Sequence, residues 1–137
     1  MLLVVLMKVL TIREPFATLI KNKVKYIETR SWKTNYRGEL YIHSGVAKIT
    51  KEIREKNGLS ELYNEDELKY GYIICKCKLV DCILMTDEFI NQEKEKCPKN
   101  FIAGTYEVVR YAWVLDNTKL IEPIRAKGQL GIWNYRK

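Results

Sequence analysis

Leu10–Ser44 reads LTIREPFATLIKNKVKYIETRSWKTNYRGELYIHS, and its order of elements decides the fold. Val9–Ile12 is a β-branched, apolar run of strand type, broken by Glu14-Pro15. Pro15 suits the first turn of a helix, and Phe16, Leu19 and Ile20 give the apolar spacing of a short helix through about Lys21. Tyr26–Thr29 and Gly38–His43 (GELYIH) then read as strands. A strand and helix without a glycine-rich turn between them cannot cradle a phosphate in the Rossmann or P-loop manner, so neither site is expected.

Working outward, Ile49–Lys56 is a charged amphipathic helix stopped by Asn57-Gly58, and Ser60–Tyr70 is a polar, acidic surface excursion. Tyr72–Met85 (YIICKCKLVDCILM) is a long strand in which Lys76 and Lys78 alternate with Cys75, Cys77 and Leu79. Thr86-Asp87-Glu88 offers an N-cap and an acidic first turn for a helix ending near Lys96. Tyr106–Leu115 (YEVVRYAWVL) alternates again and meets a turn signal at Asp116-Asn117-Thr118, with Lys119–Ile124 and Leu130–Tyr135 as closing strands. Many short strands with a few inserted helices predict an α+β, mainly β fold, a small β-barrel with flanking short helices. With 137 residues and no linker or repeat, residues 1–137 are expected to form one domain. Met7-Lys8 is a second candidate start, which would make residues 1–6 an N-terminal extension; otherwise they lengthen the first strand.

The formal net charge is +7. Lys8–Arg37 holds eight basic residues against Glu14 and Glu28, so almost all of the excess lies in one segment. A concentrated positive field draws polyanions, which favours nucleic acid or nucleotide phosphate over a merely solvated basic face. Cys75, Cys77, Cys82 and Cys97, with His43 the lone histidine, do not have zinc-finger spacing. They are expected to be free thiols, the strand-borne ones acting as small hydrophobes in a reducing, cytoplasmic setting. MLLVVLM at the start is too short to span a bilayer and lacks the marks of a signal peptide, so no membrane association is expected.

If the second strand stays extended, Tyr26, Glu28, Arg30 and Trp32 share a face. A carboxylate, a guanidinium and an indole side by side suit a nucleotide: Arg grips phosphate, Trp stacks on a base, and Glu28 accepts from a base edge or serves as a general base. The plainer readings are a Glu28–Arg30 surface ion pair worth about 1 kcal/mol or less, a core Trp32 and a satisfied, semi-buried His43. No Ser-His-Asp, Cys-His or metal-ligand set converges, and no cofactor or metal is implied.

The stretch Leu10–Ser44 resembles the opening of an ASCH domain, whose hallmark Gly-x-Lys-x-x-Glu-x-Arg is matched by Lys25, Glu28 and Arg30, with Lys23 in the Gly place. Trp113-Val114-Leu115 through Glu122-Pro123-Ile124 and Lys127-Gly128 to Gly131-Ile132-Trp133 resembles the family's closing strands. The resemblance implies a PUA-like β-barrel with a cleft lined by the hallmark residues and a role in RNA metabolism. Some related proteins are amidohydrolases acting on N-acetylated cytidine, with a Lys and a Thr of the hallmark strand and a downstream Glu. Here Lys25 matches the Lys, but Glu28 stands in the Thr place. Asn22 is expected to take the left-handed helix end that a Gly at position 23 would suit. Glu14 and Phe16, where the family often has Gln and Trp, are expected to make the cleft more acidic and less aromatic.

The ligand-binding set expected from these readings is Arg13, Lys25, Glu28, Arg30, Trp32, Arg37, His43 and Lys127. Three functions follow, in order. The first is binding of RNA or a nucleotide-like ligand, with single-stranded DNA as a variant. The second is an enzyme on RNA or a modified nucleoside, with Lys25 and Glu28 as acid and base. The third is a protein-interaction module with a basic face. The oligomeric state is left open.

Overall fold

The computed structural model describes residues 6–137. Its elements are β1 (Leu6–Ile12), α1 (Phe16–Lys21), β2 (Ile27–Arg30), β3 (Gly38–Ser44), α2 (Lys51–Glu55), β4 (Tyr72–Leu84), α3 (Asp87–Lys96), α4 (Pro98–Ile102), β5 (Tyr111–Arg125) and β6 (Ile132–Arg136), with 3-10 turns at Ser60–Leu62 and Glu65–Glu67. The strands form one curled, half-barrel sheet in the order β2-β5-β4-β3-β1-β6, with short helices beside it. The fold is α+β and mainly β, as the sequence predicts. Leu6 pairs with Arg136, so this residue lengthens the first strand; the rest of the proposed N-terminal extension lies outside the described residues.

β1 and β3 run parallel, pairing Thr11 with His43, and every other neighbouring pair is antiparallel. A parallel pair needs a crossover, here supplied by α1 and β2, which brings the hallmark strand past the ends of β1 and β3. Inside the curl, Leu10, Ile12, Leu40, Ile42, Ile74, Leu79 and the fully buried Trp113 pack against Ile20 of α1. Cys75 and Cys77 belong to this core, the small-hydrophobe role expected of them. On the opposite face Val9, Ile73 and Trp133 form a smaller cluster.

Three readings need correction. Asp116-Asn117-Thr118 does not end a strand, because β5 runs unbroken through it. Asn117 takes φ +53, and between Lys76↔Lys119 and Lys78↔Asp116 the register gives β5 one extra residue. The turn-forming residues therefore make a bulge that bends a 15-residue strand around the curl. Residues 106–110, expected as strand, are instead a turn closed by Arg110 N donating to Glu107 O. The third concerns α1, whose end is not taken by Asn22 (φ −84) but by Lys23 itself, at φ +64. Val24 N donates to Leu19 O and Lys23 N to Ile20 O, the paired bonds of a Schellman end with lysine at the glycine position.

The helix α4 carried no periodic signal, being five residues long, yet it matters to the site. Its buried Asn100 accepts through Oδ1 from Tyr26 N (2.9 Å) and Ile27 N (3.2 Å), pinning the start of β2.

Candidate ligand-binding cleft

The ends of the parallel strands β1 and β3 lie together, and the curl of the sheet brings β2 across to them, where Arg30 reaches Thr11 O; between them lies a cleft of about 830 Å³. Loops 45–47, 103–105 and 127–130 complete it. Of the expected residues, Arg13, Lys25, Glu28, Arg30, Trp32, His43 and Lys127 all line this cleft. Arg37 does not: its guanidinium donates to Thr34 O and Tyr36 O and lies 3.7 Å from Asp81. Tyr26 is also elsewhere, because the strand starts only at Ile27; its ring packs near Met85 and Phe89, with its hydroxyl donating to Glu93.

Glu28 is the hub. Its Oε2 accepts from Arg30 Nε at 2.9 Å, and its Oε1 lies 3.3 Å from Lys25 Nζ. Lys25 is 1% exposed, and its ammonium also donates to Ile27 O (2.7 Å) and Ala103 O (2.6 Å). Two carbonyls and a carboxylate surround the ammonium, which is how a lysine is kept inside. Burial lowers its pKa from the ordinary lysine value, and Glu28 pulls in the opposite direction. Ala103 follows α4, so the helix that the sequence did not announce supplies part of the lysine's cage. Arg30 spends a second group on Thr11 O at 2.9 Å. The plainer reading of Glu28 and Arg30 as a surface pair therefore fails, since Glu28 is buried between two cations.

Trp32 is 38% exposed and meets Trp113 edge-on, centroids 4.6 Å apart, so part of its ring remains open to a ligand. His43 is fully buried. Trp133 Nε1 donates to Thr11 Oγ1 (3.0 Å), Thr11 Oγ1 lies 3.2 Å from His43 Nδ1, and His43 Nε2 lies 2.7 Å from Ala126 O. The carbonyl requires the proton on Nε2, which makes Nδ1 the acceptor from Thr11. Burial lowers the imidazole pKa, consistent with a neutral ring. His43 thus ties the 126–130 loop to β1 and β3, and Gly128 lets that loop come close: a Cβ there would sit 3.1 Å from both the His43 ring and the Thr11 side chain.

Glu14 does not make the cleft more acidic. It is buried away from it, accepting from Thr18 N (2.8 Å) and Thr18 Oγ1 (2.6 Å), and burial raises its pKa. Sequence reasoning missed Thr11, Thr29, Thr105 and Arg110, which also line the cleft. Arg110 lay within a run expected to be strand, and no local pattern marks it. Among the described residues no group of three or more His, Cys, Asp or Glu side chains is placed to hold a metal ion, and no helix is long and apolar enough to cross a membrane.

A curled, mainly β half-barrel with a cleft at the ends of its parallel pair, centred on a buried Lys–Glu–Arg cluster, defines a small α+β domain. The family model for the ASCH domain matches residues 10–125, and the chain belongs to the ASCH family. No curated protein matches it.

Proposed function

We propose that this ASCH domain binds RNA, or a nucleotide-like piece of it, in the cleft. The observation that carries the reading is the balance of the cleft's lining: Arg13, Lys25, Arg30, Arg110 and Lys127 stand against the single carboxylate of Glu28, beside the part-exposed indole of Trp32. Positive charge concentrated in a concave wall raises the local concentration of phosphate, and an open indole offers a base its stacking partner. The family's general association with RNA points the same way.

Catalysis by Lys25 and Glu28 on a modified nucleoside receives less support. The Lys25 ammonium is held by two backbone carbonyls and paired with Glu28. Both Glu28 oxygens are likewise engaged, and Glu28 stands where related amidohydrolases have a threonine.

Binding of short single-stranded RNA, followed by fluorescence anisotropy across a salt series, tests the proposal. Log K should fall with log salt by about 0.7 per phosphate contacted. Trp32→Ala should weaken binding by about 1–3 kcal/mol if the ring stacks on a base. Arg30→Ala should cost more than Arg37→Ala, which removes the same charge outside the cleft. Folded Arg30→Ala and Trp32→Ala proteins that bind RNA, DNA and nucleotides as the parent does would refute the cleft, and an acidic protein partner would then be the reading to pursue.

A further inference from the structure

We propose that Arg110 receives the phosphate of a nucleotide seated in the cleft, and that Arg30, the arginine of the family hallmark, is a positioning residue for Glu28. The inference rests on the nucleotide-binding reading and deepens it by naming where the anionic group goes.

The cleft's cations are not equivalent. Lys25 is buried between two carbonyls and paired with Glu28. Arg30 gives Nε to Glu28 and one amino group to Thr11 O, so its charge already has a counter-ion 2.9 Å away. Arg13 and Lys127 are exposed at the rim, Arg13 donating to Lys48 O at 3.3 Å. Arg110 differs from all of these. It is half-buried in the wall, and among the described residues no carboxylate lies within 4.0 Å of it. Residues 1–5, MLLVV, carry no acidic side chain. Among the described residues its guanidinium makes one hydrogen bond, a long one to Thr29 O at 3.3 Å, and its Nε is buried without an acceptor. A half-buried guanidinium with neither counter-ion nor full hydrogen bonding is poorly compensated, and an oxyanion entering the cleft supplies the missing counter-ion and accepts from its accessible amino groups.

The chain before Arg110 supplies an independent observation. Val109 sits at φ +65, a region that β-branched residues avoid, and its side chain is 75% exposed, so its own packing does little to offset the strain. The turn is held by Val109 N to Met85 O (3.3 Å) and Arg110 N to Glu107 O (3.2 Å). Its effect is to deliver Arg110 to the cleft wall beside Thr29 immediately before β5 begins at Tyr111. Strained backbone next to an uncompensated cation in a concave site is the pattern of a pre-organised binding group.

The experiment compares the four ribonucleosides with their 5′- and 3′-monophosphates by titration calorimetry. Short RNA oligonucleotides with and without a terminal phosphate separate a free or terminal phosphate from an internal one. The parent should prefer a monophosphate over its nucleoside by about 10- to 100-fold, the scale of one charge-assisted contact. Arg110→Gln should abolish that preference while changing nucleoside affinity by about 2-fold or less. Lys119→Ala, an exposed cation outside the cleft, should leave the preference intact. Thermal melting checks each fold. Should Arg110→Gln not fold, Arg110→Lys, which keeps the charge and can still donate to Thr29 O, should lose most of the preference through loss of the planar fork. A folded Arg110→Gln protein that still prefers the monophosphate overturns the inference and leaves the nucleotide reading standing. A parent that binds no nucleoside, nucleotide or RNA brings down both.

Discussion

Replacing Lys23 by glycine should stabilise the protein, although it removes a side chain at a position the family's hallmark gives to glycine. Lys23 holds φ +64 at the end of α1, where an L-residue's Cβ crowds the neighbouring carbonyl at a cost of about 1–2 kcal/mol. Its side chain is exposed and forms no ion pair among the described residues, so truncation forfeits little. Glycine's greater freedom in the unfolded chain takes back about 0.5–1 kcal/mol. The net gain is about 0.5–1 kcal/mol, which for a domain of this size raises Tm by about 2–5 °C. Lys23→Ala is the control that matters: it deletes the same charge and methylenes but keeps the Cβ, so its stability should stay near the parent's. Urea denaturation with matched slopes, alongside calorimetry, measures the difference between the two variants. A glycine variant no more stable than the alanine variant would refute the account of this helix end.

Three further outcomes are expected. Under native conditions a thiol reagent should reach Cys82 and Cys97 far faster than Cys75 and Cys77, because burial closes off the latter pair and pushes the Cys77 thiol up to about 12; denaturation should reveal four free thiols. Gly128→Ala should destabilise by about 1–3 kcal/mol and loosen the cleft, since its methyl would press on His43 and Thr11, which their hydrogen bonds hold in place; nucleotide titration and melting measure both effects. His43 titrates below its ordinary 6.5, so in the window beneath that value the unfolded chain binds more protons than the native one. Its contribution is therefore complete above about pH 6.5 and lost as pH falls, by at most about 1.4 kcal/mol per pH unit. Glu14, raised by burial, acts with the opposite sign: its contribution is complete below its ordinary 4.5 and is lost as pH rises through its raised value. Denaturation midpoints from pH 7 to 5 should fall more steeply in the parent than in His43→Gln, and equal slopes would exclude the buried imidazole as the cause.

Much of this architecture was legible along the chain because it depends on neighbours two to four residues apart. Alternation in GELYIH and YIICKCKLV, the Thr86 cap, which accepts from Phe89 N, and the hallmark spacing of Lys25, Glu28 and Arg30 are local signals that survive into β3, β4, α3 and the cleft. Local rules misled where tertiary packing outweighed them. Asn117 in a turn-like triplet became a bulge because β4 pairs along the whole of β5, and Lys23 took a glycine's conformation because the Schellman bonds and the burial of Leu19 and Ile20 fix the turn. Which charges are spent and which are spare is not a sequence property at all. Arg30 and Arg37 look alike on paper, yet one closes on Glu28 inside the cleft and the other on Asp81 outside it. Arg110 is 80 residues from Arg30 along the chain and reaches the same cleft only because β5 pairs with β2, setting Tyr111 opposite Arg30. Sequence alone determined the class of fold and the hallmark residues, since those follow from short-range periodicity and spacing; the closing of the sheet decided which cation lacks a counter-ion, because ion pairing depends on distances in space that spacing along the chain does not set.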